Sequence, residues 1–97
     1  MLLFVEFDVS ADIIDVPERV IQEKDKLHRQ FLKWLTDKRN HHKYWVTVGE
    51  HRGLNYRSEA FVEWLNTYIL SESEEKARID QQYVSIKNEK KLPSIMF

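Results

Sequence analysis

The stretch 43–70, KYWVTVGEHRGLNYRSEAFVEWLNTYIL, constrains the fold of this chain more than any other part. It predicts a strand over 44–48, a turn bounded by Gly49 and Gly53, a short return strand and then a helix. Ser58 stands where a helix cap is expected. A hairpin joined directly to an amphipathic helix must bury one face of each, which indicates an α+β domain. The arc of this helix expected to face the core consists of Phe61, Val62, Trp64, Leu65, Tyr68 and Ile69.

Two predicted elements precede this hairpin and helix. The alternation of apolar and polar residues over 2–9 predicts a strand, and 10–15 is interpreted as a connection. The sequence DVPE at 15–18 is typical of a helix start. The apolar spacing after it, which places Trp34 in the arc expected to face the core, predicts one amphipathic helix that continues to about residue 37. Asn40 is expected to end this helix in a left-handed conformation.

Three further segments follow it. A second cap-like pattern, SESE, predicts a short helix over 71–80, and the alternation at 83–86 predicts a last strand. The polar stretch 88–91 is interpreted as a charged turn. The apolar tail 92–97 is expected to dock on this molecule or on a partner, because apolar side chains at a free end do not ordinarily stay in water.

The predicted order is strand, helix, strand, strand, helix, strand, within a single domain that spans 1–97. Two strand–helix–strand units with right-handed crossovers predict a ferredoxin-like βαββαβ sandwich, with an antiparallel sheet and both helices on one face. The other face would be open and apolar, with Leu2, Phe4 and Trp45 on or near it. An open apolar face on so small a domain favours a homodimer.

A rival plan starts from the hairpin. Residues 43–70 resemble the wing and the following helix of small excisionase-type DNA-binding proteins. In that family a helix-turn-helix precedes the wing, whereas one long helix over 16–37 is predicted here. The resemblance is confined to the hairpin and its helix, and no family assignment follows from it.

Composition excludes several classes of site. The chain has no cysteine, which excludes disulfides and thiolate metal sites. The start lacks the basic residues and the unbroken apolar run of a signal peptide, and no apolar run approaches the roughly 18 residues of a membrane span. We therefore expect a cytoplasmic protein that does not contact membranes. No motif for a cofactor, a metal ion or a catalytic residue is found, so none is expected.

Charge is unevenly distributed along the chain, although the net charge is only −1. Residues 1–23 have a net charge of −5, from six acids and one base. Residues 24–57 have a net charge of +6, from nine bases and three acids. Residues 58–97 have a net charge of −2, from seven acids and five bases. Bases interleaved with aromatic residues suit phosphate contact and base stacking. The candidate partner-binding basic patch consists of Lys38, Arg39, Lys43, His51, Arg52 and Arg57.

A second candidate site is a pocket formed by Lys24, His28 and Asp8. Lys24 and His28 are four residues apart within the apolar arc of the first helix, so they share a face. One interpretation is an acid–base or anion site. The other is that Lys24 extends to water and His28 is a hydrogen-bonded boundary residue. The adjacent His41 and His42 are expected at the surface rather than on a metal, because no carboxylate stands at ligand spacing.

Three functions remain open. The first is a non-enzymatic protein-binding regulator or inhibitor that uses an aromatic, apolar sheet face, the apolar tail and the segregated charges. The second is nucleic-acid binding by the basic block 24–57, although the pI of about 6.4 lies below the value of about 9 common in such domains. The third is a small ferredoxin-like enzyme that uses Asp8 or the Lys24–His28 pair.

Overall fold

The computed structural model describes residues 1–86 and 91–97. Its elements, in chain order, are β1 (Leu2–Glu6), β2 (Ala11–Asp15), α1 (Glu18–Gln22), α2 (Lys24–Thr36), β3 (Trp45–Val48), β4 (His51–Leu54), α3 (Ser58–Trp64), a π turn (Leu65–Ile69), β5 (Arg78–Val84) and β6 (Ser94–Met96). The predicted mixed α+β class is confirmed. Most of the predicted charged turn at 88–91 lies outside the described residues.

The main sheet has four strands in the order β5–β2–β1–β6. β1 and β2 form an antiparallel hairpin in which Leu3 lies opposite Ile14 and Val5 lies opposite Asp12. β5 pairs antiparallel with β2, and β6 pairs parallel with β1. β3 and β4 form a separate two-stranded sheet. The strand order therefore differs from that of the predicted ferredoxin-like sandwich.

The chain reverses earlier than predicted, because 7–10 is a turn rather than the end of a strand. The Phe7 N–H donates a hydrogen bond to the Ser10 carbonyl at 2.8 Å. The segment 11–15, interpreted as a connection, is therefore β2. Its first four residues are buried, on both faces of the sheet, so the run lacks the alternation that signals a half-buried strand.

The core lies between one face of the main sheet and the helices. Burial of this apolar area is the main stabilising contribution, at about 25 cal/mol for each Å². Its largest members from the sheet are Leu3, Val5, Ile14 and Ile95, and those from the helices are Val20, Leu27, Phe31, Leu35, Phe61, Trp64 and Leu65.

The other face of the sheet is covered in part, which corrects the prediction of an open face. Phe4 is only 1% exposed and packs with Ala11 and Ile13 in a second cluster. Val84, Ile86 and Leu92 pack against this cluster. Trp45, predicted near this face, lies in the separate hairpin. The homodimer, which was inferred from an open apolar face, stays a prediction.

The helix predicted as one piece over 16–37 begins at Glu18 and is interrupted at Glu23, where φ is −108° and ψ is 17°. Asp15 does not cap it. Asp15 ends β2, and its carboxylate pairs with the N-terminal amine and with Arg78. Its oxygens are therefore committed to these two cations rather than to the helix N–H groups.

The helix predicted over 71–80 does not form. The Glu74 N–H donates to the Ser71 carbonyl in a single turn, and β5 then begins at Arg78. The Glu74 carboxylate accepts a hydrogen bond of 2.7 Å from Nε of Arg19. Glu74 also accepts the Ser71 N–H at 3.0 Å, as in a helix cap, but its ion pair with Arg19 ties this turn to α1 and the chain then extends into β5.

The tail 92–97 docks on this molecule, one of the two predicted alternatives. β6 adds to the edge of β1, and the Phe97 N–H donates to the Glu6 carbonyl at 2.9 Å. Ile95 is buried in the core. The Phe97 ring lies within 4.4 to 6.0 Å, between centroids, of the rings of Phe7, His28, Phe31, Tyr56 and Phe61.

Candidate functional site

A groove runs between the end of α2, the loop 37–44 and the π turn. It consists of two adjoining hollows of about 250 and 260 Å³, and Trp34, His42 and Tyr68 line both of them. We call it the aromatic groove. Its other lining residues are Arg39, Asn40, His41, Lys43, Glu63, Trp64 and Thr67.

The rings of the groove continue onto the β3–β4 hairpin as one row, which we call the aromatic row: Tyr68, Trp34, His42 and Trp45. The Trp34 centroid lies 5.8 Å from that of Tyr68 and 4.7 Å from that of His42. His42 stacks on Trp45 with 5.4 Å between centroids and 6° between planes. The Arg52 guanidinium lies 4.5 Å from the centroid of Trp45. Aromatic contacts of this kind contribute about 0.5–1.5 kcal/mol each, so the rings hold one another in place.

The orientation of His42 is set by two backbone groups. Its Nε2 lies 2.8 Å from the Leu35 carbonyl, which can only accept, so Nε2 carries the proton and donates. Its Nδ1 then accepts a hydrogen bond from the Tyr44 N–H at 3.3 Å. One ring thereby joins the end of α2 to the start of β3.

Asn40 joins the end of α2 to the indole ring of Trp45. Its side-chain amide donates to the Trp34 carbonyl at 2.8 Å, and its own carbonyl accepts from Nε1 of Trp45 at 2.7 Å. Its backbone does not take the left-handed conformation expected of it. The side chain instead satisfies a free carbonyl at the helix end.

Glu63 of α3 holds the loop 37–44 against the groove. Its Oε2 accepts hydrogen bonds from the Tyr44 hydroxyl at 2.7 Å and from Nζ of Lys43 at 2.9 Å. Lys43, and after it Tyr44, lowers the pKa of Glu63. Burial, and after it Glu63, raises the pKa of Tyr44, so this hydroxyl keeps its proton. These bonds therefore fix the loop 37–44 to α3 beside the groove.

The π turn explains why Tyr68 is at the surface. The Leu70 N–H donates to the Leu65 carbonyl at 2.8 Å, five residues back. A turn that holds one more residue than an α-helical turn changes which side chains face the core. Tyr68, predicted within the buried arc, is 61% exposed. Turns of this type occur frequently at functional sites.

The structure brings only part of the predicted basic patch to this groove. Arg39 and Lys43 line it, Lys38 immediately precedes Arg39 in the same loop, and Arg52 contacts the aromatic row. His51 lies on the opposite face of β4 from Arg52, because neighbouring residues of a strand alternate. Arg57 is not part of the groove.

Three residues of the predicted patch are bonded to carboxylates of the same molecule: Arg39, Lys43 and Arg57. Nε and Nη2 of Arg39 donate to the two oxygens of Asp37 at 3.0 and 2.8 Å. The side chain of Arg39, and after it its backbone N–H, lowers the pKa of Asp37 to about 2. The positive charge of the block 24–57 is thus neutralised in part within the chain.

Arg57 belongs to a buried polar cluster around Asp12, which the sequence reasoning missed. The fully buried carboxylate accepts from Nη2 of Arg57 at 2.8 Å, from the Tyr83 N–H at 3.0 Å, and from the Ser58 N–H and hydroxyl. The Arg57 guanidinium lies over the rings of Phe7 and Tyr83, 4.5 and 4.1 Å from their centroids. Burial raises the pKa of Asp12, but the hydrogen bonds from Arg57, Ser58 and Tyr83 outweigh it and lower the pKa.

Among the described residues, no hydrogen bond or ion pair joins the members of the predicted pocket, Asp8, Lys24 and His28. Asp8 is exposed in the turn 7–10, and Lys24 pairs with Asp25 at 3.2 Å. The His28 ring lies edge-on against Phe97, and its Nε2 is buried without a hydrogen-bond partner among the described residues. Burial lowers the pKa of His28, which keeps it neutral at pH 7.

Comparisons with protein-family models, with curated proteins and with solved structures return no match for this chain. Within residues 1–86 and 91–97, histidines and carboxylates do not gather in groups of three or more that could hold a metal ion. No helix of this described part is long and apolar enough to cross a membrane.

Proposed function

We propose that this protein is a non-enzymatic module that regulates or inhibits a protein partner by binding it through the aromatic groove. The observation that carries the proposal is the aromatic row, in which Trp34 and Tyr68 flank open hollows while the rings beside them are fixed by backbone hydrogen bonds.

The composition of the groove supports a protein partner. Tryptophan, tyrosine and arginine are the residues most enriched at the energetic centres of protein interfaces, where truncation of one side chain costs about 2 kcal/mol or more. The ring of His42 and the indole of Trp45 are already ordered in the free protein. Binding therefore orders few further side chains, a cost of about 0.5–1.5 kcal/mol for each one immobilised.

The surface available to a partner extends beyond the groove onto the β3–β4 hairpin. Specific interfaces bury about 800 Å² on each partner, more than two hollows of this size provide. Thr47 and Arg52 pair across β3 and β4 and are exposed on the face of the hairpin that carries Trp45. A two-stranded sheet of this kind is marginally stable alone, so coverage by a partner would stabilise it.

Single-stranded nucleic acid is the second candidate, because Arg52, Trp45 and His42 form a stack of the type on which bases stack. The pairing of Arg39 with Asp37 and of Lys43 with Glu63 counts against it, since binding of a phosphate chain needs several available cations. No observation supports the third candidate, a ferredoxin-like enzyme, because no hydrogen bond or ion pair of the described residues joins Asp8, Lys24 and His28.

The proposal is tested by capture from cells that encode the protein, with three baits: the wild type, Tyr68→Ala and Tyr83→Ala. Tyr68 and Tyr83 are both exposed tyrosines, 61% and 68%, and only Tyr68 lines the groove. We expect to capture a partner that the wild type and Tyr83→Ala both retain. Its affinity for Tyr68→Ala should be at least about tenfold lower.

Two outcomes would overturn the proposal. In the first, the wild type and Tyr68→Ala bind the captured partner with equal affinity. In the second, a labelled oligothymidine binds the wild type at about 50 mM salt, and this binding is weakened by salt and by Tyr68→Ala. The second outcome would establish the nucleic-acid alternative.

A further inference from the structure

Resting on the proposed function, we infer that the aromatic groove receives one aromatic side chain of the partner, and that this side chain is flanked by acidic residues. Three features of the groove favour such a segment: the size of the hollows, the charges that line them and the cations near them.

The size of the hollows suits one ring. An apolar cavity of about 150 Å³ accommodates benzene, and sites for drug-sized ligands measure about 300–1,000 Å³. Each hollow here measures about 250 or 260 Å³. Three aromatic residues, Trp34, Trp64 and Tyr68, line the first hollow, which suits a phenol or an indole from the partner.

The charge of the surface favours an acidic neighbour of that ring. Glu63 is the one carboxylate that lines either hollow among the described residues, and it already accepts hydrogen bonds from Lys43 and Tyr44. Lys38 is exposed next to Arg39 in the loop, and Arg52 lies over Trp45; neither has a carboxylate partner in the described part of the chain. Two such cations match one or two carboxylates of a partner through complementary charge.

A cationic ligand is disfavoured although aromatic residues surround the space. A cation over an aromatic ring gains about 0.5–2 kcal/mol. A cationic ligand would approach Arg52, which has no carboxylate partner in the described part of the chain, and the lining carboxylate that could attract it is bonded to Lys43 at 2.9 Å. Repulsion between like charges therefore acts against a methylated lysine or a choline group.

The test is a titration of ¹⁵N-labelled protein with nine-residue peptides of defined composition. The first has a central tryptophan flanked by glutamates, the second replaces the glutamates by lysines, and the third replaces the tryptophan by alanine. The acidic tryptophan peptide is expected to shift the Trp34 indole N–H and the Tyr68 amide, and to bind at least about tenfold tighter than the other two.

Protein variants locate the contacts. Tyr68→Ala and the charge reversals Lys38→Glu and Arg52→Glu are each expected to weaken binding of the acidic peptide about threefold to tenfold. Tyr83→Ala and Lys26→Glu are the matched controls, since neither Tyr83 nor Lys26 lines the groove. Equal loss in the controls would contradict the inference.

The outcomes separate the inference from the proposed function. If the lysine-flanked peptide binds as well as the acidic one, or if no peptide binds at 1 mM while a captured partner still depends on Tyr68, then the inference is wrong and the proposed function stands. If oligothymidine shifts the same resonances and outcompetes the acidic peptide, both fail.

Discussion

Asp12 and Arg57 form an ion pair that joins the start of β2 to the N-cap position of α3, across 45 residues of chain. The carboxylate is fully buried, and Nη2 of Arg57 lies 2.8 Å from Oδ1. The same carboxylate accepts the Ser58 N–H, one of the free donors at the start of the helix. One acid therefore fixes both a strand and the helix that carries Glu63.

Removal of the Asp12 carboxylate is expected to destabilise the fold strongly. Asp12→Ala leaves the Arg57 guanidinium and the N–H groups of Ser58 and Tyr83 without their acceptor, and loss of one partner of a buried ion pair costs about 3–5 kcal/mol. Urea unfolding measures the difference. Asp80→Ala, an exposed aspartate of β5, is the control and should change the free energy of unfolding by less than about 0.5 kcal/mol. Equal effects of the two substitutions would show that the buried ion pair contributes nothing to the free energy of unfolding.

The aromatic ring of Phe97 is expected to stabilise the whole domain, not the tail alone. Phe97→Ala removes a ring that contacts five others and should cost about 2–4 kcal/mol in free energy of unfolding. Met96→Ala removes a side chain that is 70% exposed and should cost less than about 0.5 kcal/mol. If Phe97→Ala only frees the tail, thermal unfolding will be unchanged.

His28 is expected to make stability depend on pH. Burial lowers its folded-state pKa below the unfolded value of 6.5, so the unfolded chain binds more protons as pH falls through 6.5. Its stabilising contribution is complete above that pH and declines below it. Asp25 opposes this shift, whereas Arg29 and Lys24 add to it.

The measurement is the free energy of unfolding at pH 7.5 and at pH 5 for the wild type, His28→Leu and His51→Leu. From pH 7.5 to pH 5, the free energy of unfolding should decrease less for His28→Leu than for the wild type. His51 is exposed, and its substitution should leave the wild-type decrease unchanged. A decrease of equal size in all three proteins would exclude His28 as its source.

The ion pair of Arg19 and Glu74 is expected to contribute to stability only at moderate and high pH. Arg19, and after it the backbone N–H of Ser71, lowers the pKa of Glu74 from 4.5 to about 2. Its stabilisation is therefore present above pH 4.5 and lost as pH falls toward 2. Urea unfolding of Glu74→Gln should differ from the wild type at pH 7 and converge with it in acid. Glu72→Gln is the control, and a gap that persists at low pH would contradict the assignment.

The hairpin and the helix that follows it could be predicted from the sequence, because each signal there is local. Gly49 takes a positive φ of 63°, as a tight hairpin turn requires. Val48 pairs with His51, so the turn holds two residues and Arg52 lies within β4 rather than at the tip. The helix begins at Ser58, where the cap was expected, although the acceptor is Asp12 rather than the serine itself.

Other elements could not be predicted because their causes are tertiary. β2 is buried on both faces and therefore has no alternation to detect. The π turn follows from a hydrogen bond between Leu70 and Leu65 that no spacing rule indicates. A signal for the buried cluster was present in Asp12, a lone acid between Ala11 and Ile13, but its partner lies far along the chain.

The groove itself was not predicted from the sequence, and only some residues of the predicted basic patch lie in it or next to it. Arg39, Lys43 and Arg52 were named from their position in the basic block, whereas Trp34 and Tyr68 were assigned to helix faces that pack in the core. Both belong to arcs at regular helical spacing, and only the end of α2 and the π turn expose them to the groove. The exposure of these two side chains depends on where the helices end, and sequence patterns locate helix termini poorly.

The central claim is that the partner covers the aromatic groove, and amide hydrogen exchange of the purified complex tests it most directly. Residues 34–45 and 65–70 are expected to exchange more slowly in the complex than in the free protein, while the edge strand β5 exchanges at an unchanged rate. Slower exchange confined to β5 or to the tail, with the groove unchanged, would contradict the claim.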